Sequence, residues 1–245
     1  MVLACIWLGA APWAVLITVT AAGLGAEWVL LCGGSPWRLP GLLVPAFVLL
    51  ATAAAMLGHD LPGLLLLLGG AAVVWLAGGR AAPGAGVVYV GIAVVALVWL
   101  RGSGDVGRAN VLFVVLVVWA SDIGAYVTGR LLGGPKLAPS ISPGKTRSGA
   151  AGGLAAAMVA GEIAAHLLAP TGFGRVALAA ALLGVAAQAG DLLESWIKRR
   201  FGVKDSGRLI PGHGGLLDRL DGLLTAAPAA AAVALTMGRG GVLWQ

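Results

Sequence analysis

The most polar stretch of this chain is Ser195-Trp-Ile-Lys-Arg-Arg-Phe-Gly-Val-Lys-Asp-Ser-Gly-Arg-Leu-Ile-Pro-Gly-His-Gly-Gly-Leu-Leu-Asp-Arg-Leu-Asp221. It contains six basic residues, three acids, one histidine and five glycines. Apolar runs at 175–197 and 216–237 overlap its two ends, which indicates two helices joined by a basic, glycine-rich loop. Acids on helices beside such a loop suit a metal ion together with a polyphosphate.

The rest of the chain is apolar. Hydrophobic residues make up 59% of the sequence and charged residues 11%, whereas a soluble domain carries about 25% charged residues. Apolar runs of about 20 residues, the length that a helix needs to cross a bilayer, recur along the whole chain. The runs are continuous rather than alternating, which predicts membrane-spanning helices and not a barrel.

We therefore predict an all-α fold, a polytopic transmembrane helical bundle of about eight spans with cytoplasmic loops that form a polar site. The predicted spans are 12–33, 40–58, 62–78, 85–100, 109–130, 149–169, 175–197 and 216–237. Within one integral membrane domain, 1–118 holds the N-terminal helices and 119–245 the C-terminal helices with the polar motif. The first ten residues form an apolar run too short to cross, which fits the tail of a truncated helix.

The net charge of +6 is explained by membrane topology. Of the 16 basic residues, 12 fall in the loops after the first, third, fifth and seventh spans, and 4 fall on the opposite side. Because cytoplasmic loops carry an excess of Lys and Arg, this bias places the loop at 198–215 in the cytoplasm. We expect no nucleic-acid partner.

Ionisable residues within spans are candidates for function, because burying them in lipid is costly. Two short acidic faces follow from helical spacing. Span seven aligns Asp191, Glu194, Ser195 and Lys198, and span eight opens with Asp218 and Asp221. Carboxylate oxygens are the ligands that Mg²⁺ prefers. The alternative is a set of interhelical salt bridges with Arg199, Arg200 and Arg219.

Two loops offer groups that suit phosphate. The loop between the acidic faces contains Lys204, Arg208, His213 and glycines that let backbone N–H groups approach an anion. The other loop, at 136–149, follows Asp122 of span five and supplies Ser142 and Lys145. The alternative for this second loop is an ordinary cytoplasmic connection that follows the charge rule.

Two further sites carry acids within spans. Glu27 is the lone acid of span one, and we expect it to line a cavity or lie near an interface. Glu162 and His166 are four residues apart in span six, which favours a structural pair over a proton relay.

The motifs together resemble the phosphatidate cytidylyltransferases, also called CDP-diacylglycerol synthases. The family signature is matched by Ser195, Lys198-Arg199, Lys204-Asp205, Gly207, Pro211-Gly-His-Gly-Gly215 and Asp218-Arg-Leu-Asp221. Upstream, Ser121-Asp-Ile-Gly-Ala-Tyr126 and Ile141-Ser-Pro-Gly-Lys-Thr146 resemble two more family segments. The chain departs from the family at Ile123, Gly144 and Ser148, where Thr, Lys and Glu are usual, and this weakens the role of the 140–148 loop.

The resemblance implies that CTP and phosphatidate react to give CDP-diacylglycerol and pyrophosphate, with Mg²⁺ as cofactor and a second, monovalent cation as a further expectation. It implies catalytic roles for Asp191, Asp218, Asp221 and Lys198, with Glu194 joining the three aspartates as metal ligands. Its substrate-binding residues would be Ser142, Lys145, Ser195, Arg199, Lys204, Arg208, His213 and Asp122. A homodimer in a bacterial-type inner membrane is a further expectation, and the charge bias of the loops places the active site on the cytoplasmic side.

Three other functions compete with this one. A polyprenol or lipid kinase would transfer the γ-phosphate and release a nucleoside diphosphate. An ion-coupled transporter would spread its acids along a path across the bilayer. A non-catalytic relative would bind lipid without turning it over.

Overall fold

The structure is a computed structural model that describes residues 1–102, 104–168, 175–207, 214–237 and 242–244. Its helices are α1 (Val2–Leu8), α2 (Ala10–Leu31), α3 (Leu43–Met56), α4 (Asp60–Gly78), α5 (Ala81–Arg101), α6 (Gly104–Leu132), α7 (Arg147–Leu168), α8 (Arg175–Arg200) and α9 (Leu217–Met237). Each predicted span coincides with one of the helices α2 to α9, so the all-α membrane fold is confirmed.

Six helices in the described part of the chain are long and apolar enough to cross a membrane: α2, α4, α5, α6, α7 and α8. Helix α3 is apolar but has only 14 residues. At 1.5 Å per residue it is about 21 Å long, less than the roughly 30 Å of a hydrocarbon core. The predicted total of about eight spans is therefore not confirmed.

The chain packs as two compact units, residues 1–102 with 198–220 and residues 103–197 with 221–245. The predicted division of the membrane domain at 118/119 stays a prediction. In the first unit, α3 packs against α2, α4 and α5. Trp28 of α2 donates a hydrogen bond from Nε1 to the carbonyl oxygen of Ala82 at 2.9 Å. Because that carbonyl belongs to the first turn of α5, the bond fixes the end of α2 against the start of α5.

The apolar run at the start of the chain forms the seven-residue helix α1. Gly9, with φ of 64°, separates it from α2. Arg101, the last residue of α5, donates from Nε to the carbonyl oxygen of Ile6 at 3.0 Å. A guanidinium at this position satisfies a carbonyl near the end of a helix and interacts favourably with the helix dipole.

The second unit is built on the packing of α6 against α7. A Cβ atom placed on Gly124 of α6 would lie 2.4 Å from the Cβ of Ala156 in α7, so glycine permits this close approach of the helices. An antiparallel hairpin that the sequence did not predict joins the two helices. Its strands are β1 (Lys136–Ala138) and β2 (Ser142–Thr146), and Lys136 lies opposite Thr146.

Candidate active site

Asp218 is the centre of a polar cluster in the first unit. Its Oδ2 accepts hydrogen bonds from the backbone N–H of Ser206 at 3.0 Å, the Ser206 hydroxyl at 2.9 Å and the backbone N–H of Gly215 at 2.9 Å. Its Oδ1 accepts from Nζ of Lys198 at 2.5 Å. The two charged side chains are only 12% and 15% exposed. Both oxygens of Asp218 are therefore fixed by donors from the signature stretch.

Glu27 of α2 also belongs to this cluster, although it lies far away in the sequence. Its side chain is fully buried, and its Oε2 accepts hydrogen bonds from the backbone N–H of Leu217 at 2.7 Å and the hydroxyl of Ser206 at 3.4 Å. A Cβ atom on Gly207 or Gly215 would lie 2.4 or 2.6 Å from Oε1. We call Glu27, Lys198, Ser206, Gly215 and Asp218 the loop cluster.

A cavity of about 550 Å³ lies in the second unit, within the range of roughly 300–1,000 Å³ that small-molecule sites occupy. Its polar lining comes from α6, the hairpin and α8, and comprises Asp122, Tyr126, Arg130, Lys145, Thr146, Gln188 and Asp191. Lys145 forms an ion pair with Asp191, and both side chains are about three-tenths exposed. The cavity therefore combines cationic and anionic groups that solvent can reach.

The hairpin and the start of α7 fix Lys145 in place. Thr146 accepts a hydrogen bond at Oγ1 from the backbone N–H of Gly149 at 3.0 Å, which is an N-cap interaction for α7. Ser148, at a position where Glu is usual, donates from its hydroxyl to the carbonyl oxygen of Gly133. This departure from the family pattern thus has a structural role, since it closes the ends of the hairpin segment.

Gln188 of α8 connects three helices beside the cavity. Its Nε2 donates to the hydroxyl of Ser121 in α6 at 3.3 Å and to the carbonyl oxygen of Ala150 in α7 at 3.1 Å. Sequence reasoning passed over this residue. The available signal was its spacing, because an amide three residues before Asp191 lies on the same helix face.

The acids of the second unit influence one another. The charges of Asp191, Glu194 and Asp122 all act on the carboxyl group of Asp221. Ser195 donates from its hydroxyl to Asp191 at 3.4 Å. Four carboxylates have the oxygen chemistry that suits Mg²⁺. Among the described residues, however, no three His, Cys, Asp or Glu side chains are arranged to hold a metal ion.

The remaining predicted residues are distributed as follows. Ser142 opens β2 and lies opposite Ala138 across the hairpin. Arg199 is exposed and donates from Nη1 to the carbonyl oxygen of Val203 at 3.2 Å, and Lys204 is exposed in the loop that follows α8. The predicted phosphate contacts Arg208 and His213 lie outside the described residues.

Fold and geometry define a class: a polytopic α-helical membrane protein with a small-molecule cavity lined by lysine, arginine and carboxylates. Comparison with known proteins then gives the family. The chain belongs to the cytidylyltransferase family, whose model matches residues 1–237.

Curated relatives agree with this assignment. The chain is 48% identical over 188 residues to the phosphatidate cytidylyltransferase of Brucella suis biovar 1 (strain 1330), covering 76% of this chain and 68% of the relative. It is 42% identical over 151 residues to the enzyme of the same name from Staphylococcus saprophyticus, covering 58% of this chain and 54% of the relative. With the Bacillus subtilis (strain 168) enzyme of that name the identity is 40% over 144 residues, covering 58% and 53%.

Proposed function

We propose that this protein is a phosphatidate cytidylyltransferase, which converts CTP and phosphatidate into CDP-diacylglycerol and pyrophosphate. The observation that carries the proposal is the family match over residues 1–237, together with relatives of that name at 40–48% identity. The polar cavity and the loop cluster supply the chemical groups that such a reaction needs. The kinase and transporter alternatives have no support among these relatives.

The reaction makes one bond and breaks one bond at phosphorus. A phosphate oxygen of phosphatidate attacks the α-phosphorus of CTP, and the bond between that phosphorus and the bridging oxygen to the β-phosphate breaks to release pyrophosphate. The nucleophile is already anionic at neutral pH, so a strong base is not required. The barrier lies in bringing two polyanions together, which fixed cations and hydrogen-bond donors lower.

Residues of the cavity bind and orient phosphate groups in this proposal. Lys145 is paired with Asp191 in the structure, and an entering phosphate oxygen would take the place of that carboxylate beside the ammonium group. Arg130 donates from Nη1 to the Tyr126 hydroxyl at 2.8 Å and remains exposed enough to offer further donors. Asp122 completes the polar lining, and Ser142 and Ser195 keep the binding roles that the sequence predicts.

The loop cluster provides a second set of phosphate-binding groups. Lys198 is oriented by Asp218, while the exposed side chains of Arg199 and Lys204 lie on either side of the turn that ends α8. Arg208 and His213 are the further phosphate contacts predicted from the sequence. The pairing of Lys198 with Asp218 holds the ammonium group in one orientation before substrate arrives.

Mg²⁺ is the proposed cofactor, and the sequence predicts Asp191, Glu194, Asp221 and Asp218 as its ligands. The described residues do not bring three of these acids into a metal-binding arrangement, and both oxygens of Asp218 already accept hydrogen bonds from the loop cluster. The carboxylate chemistry of these residues suits the ion. When bound, Mg²⁺ would neutralise charge on the phosphates of CTP and on the departing pyrophosphate. A monovalent cation and a homodimer stay predictions. The bacterial relatives and the cytosolic origin of CTP favour an inner-membrane location with the reaction at the cytoplasmic face.

The test is a CTP-dependent assay on the protein purified in detergent. Cytosine-labelled CTP and phosphatidate are supplied with and without Mg²⁺, and both the labelled lipid and the leaving group are identified. We expect CDP-diacylglycerol and pyrophosphate, and no product from Asp218→Asn, while Glu162→Gln in α7 serves as the matched acid control. Release of CDP would indicate a kinase, the absence of any reaction would contradict the proposal, and full activity of Asp218→Asn would refute its role.

A further inference from the structure

We propose that Glu27 is a positioning residue that holds the loop between α8 and α9 (residues 201–216, the signature loop) in the geometry that the reaction needs. Through this loop it also positions Asp218 and Lys198. The inference rests on the proposed function, but it concerns a residue of α2 that lies 179 positions before Ser206. It assigns a task to a buried carboxylate that the signature itself does not contain.

The first argument is the acceptor that Glu27 provides. The backbone N–H of Leu217 is the first of α9, and the first N–H groups of a helix have no partner within that helix. Oε2 of Glu27 accepts from it at 2.7 Å. A carboxylate at this position also interacts favourably with the positive end of the helix dipole. Glu27 therefore caps α9 from another helix and fixes where α9 begins, one residue before Asp218.

The second argument concerns the single hydroxyl hydrogen of Ser206. Its oxygen lies 2.9 Å from Oδ2 of Asp218 and 3.4 Å from Oε2 of Glu27. Because one hydrogen cannot fully satisfy both acceptors, the shorter contact to Asp218 takes most of it. Ser206 thus lies between the two carboxylates, and a displacement of Glu27 changes how Ser206 holds Asp218.

The third argument explains two glycines of the signature. A Cβ atom on Gly207 would lie 2.4 Å from Oε1, 2.7 Å from Cγ and 2.8 Å from Cδ of Glu27. A Cβ atom on Gly215 would lie 2.1 Å from the Ser206 hydroxyl oxygen and 2.6 Å from Oε1 of Glu27. The loop therefore closes directly over this carboxylate, and residues with a side chain at 207 or 215 would push it away.

The main experiment compares Glu27→Gln with wild type in the CDP-diacylglycerol assay. Glutamine keeps the size of the side chain but removes its charge, which weakens the hydrogen bonds that it accepts. We expect kcat to fall about 10- to 100-fold, as for residues that orient catalytic groups, while KM for CTP stays close to the wild-type value. A purely structural role would lower the amount of folded protein and leave kcat per folded molecule unchanged.

A second experiment tests the contact itself. Gly207→Ala should lose most activity, and adding Glu27→Asp, which shortens the acid by one methylene, should restore part of it. Such non-additivity is expected only for residues in contact. Gly69→Ala in α4 is the matched control, because nothing lies within 4 Å of its added Cβ atom. It should keep full activity, and Glu27→Asp should give it no benefit.

A third measurement does not depend on activity. Trypsin cleavage after Lys204, which is exposed, should be faster in Glu27→Gln than in wild type because the loop is held less firmly. If wild type makes no CDP-diacylglycerol, the proposed function fails. The inference is then still supported if trypsin cleaves Glu27→Gln faster than wild type and cleaves the double variant Gly207→Ala/Glu27→Asp more slowly than Gly207→Ala alone. The inference is overturned if Glu27→Gln keeps the wild-type kcat and the wild-type rate of trypsin cleavage, and if Glu27→Asp restores no activity to Gly207→Ala. If Glu27→Gln does not fold, the Gly207 pair decides.

Discussion

The ion pair between Lys198 and Asp218 gives the sharpest prediction about stability. Nζ of Lys198 lies 2.5 Å from Oδ1 of Asp218, and the two side chains are only 12% and 15% exposed, respectively. Removing one partner of a buried pair costs about 3–5 kcal/mol, whereas exposed pairs contribute about 0–1 kcal/mol. Lys198→Met leaves Asp218 with its three hydrogen bonds from Ser206 and Gly215. We therefore expect it to cost about 2 kcal/mol, between these two ranges.

Asp218→Asn should cost more than Lys198→Met, about 3–5 kcal/mol. An asparagine has one oxygen acceptor, so its amide N–H₂ must face either the ammonium group or the three donors of the loop. Either orientation removes the counter-charge of Lys198. The double variant removes both charges at once, and its loss of stability should be smaller than the sum of the single losses by about 2 kcal/mol.

The assay is reversible unfolding in mixed detergent micelles, followed by tryptophan fluorescence and circular dichroism, for wild type, both single variants and the double variant. CDP-diacylglycerol formation is measured on the same samples, and all three variants should be inactive. The matched control is the pair of Asp105 and Arg108, which are 3.0 Å apart with Asp105 90% exposed. Its coupling energy should be below about 0.5 kcal/mol. Strict additivity for Lys198 and Asp218 would refute the reasoning.

Two further predictions concern packing and charge in the second unit. Trp244 is 1% exposed and its ring centroid lies 4.3 Å from that of Phe113. Trp244→Ala should therefore lower the free energy of unfolding by about 3–5 kcal/mol. The control is Trp75, which is 55% exposed, and an equal loss in Trp75→Ala would contradict the prediction. Gly144 lines the cavity beside Lys145 and has open space around it, so Gly144→Lys should fold normally and lower KM for CTP by up to about fivefold. If Gly144→Lys leaves KM for CTP unchanged, the result counts against a phosphate site beside Lys145.

The helices could be predicted because lipid imposes a simple rule on sequence. A segment that crosses a bilayer must be apolar over its whole length, and Pro, Gly and charged residues collect where it ends. The predicted start of span seven at 175 is therefore the start of α8. The hairpin at 136–146 was not predicted, because strands of three and five residues lack the alternation that marks a longer strand.

The site was predictable only where its residues are close in sequence or share a helix face. Asp191 and Lys198 follow from helical spacing, and α8 contains both. The ion pair of Asp191 with Lys145 was not predictable, because it depends on how the hairpin folds beside α8. The link from Glu27 to Leu217 has no sequence signal at all, since 190 residues separate the two.

That separation has a consequence for how the protein is made. Chains are synthesised at about 5–20 residues per second, so Ser206 and Leu217, which come 179 and 190 positions after Glu27, emerge roughly 10–40 seconds after it at those rates. During this interval α2 is already available for insertion and carries a carboxylate that still lacks these two donors. A carboxylate in a membrane helix is costly without partners, which favours a shallow, incompletely inserted α2 until the signature loop arrives. Assembly of the signature loop is therefore also the step that completes the placement of one of the first helices.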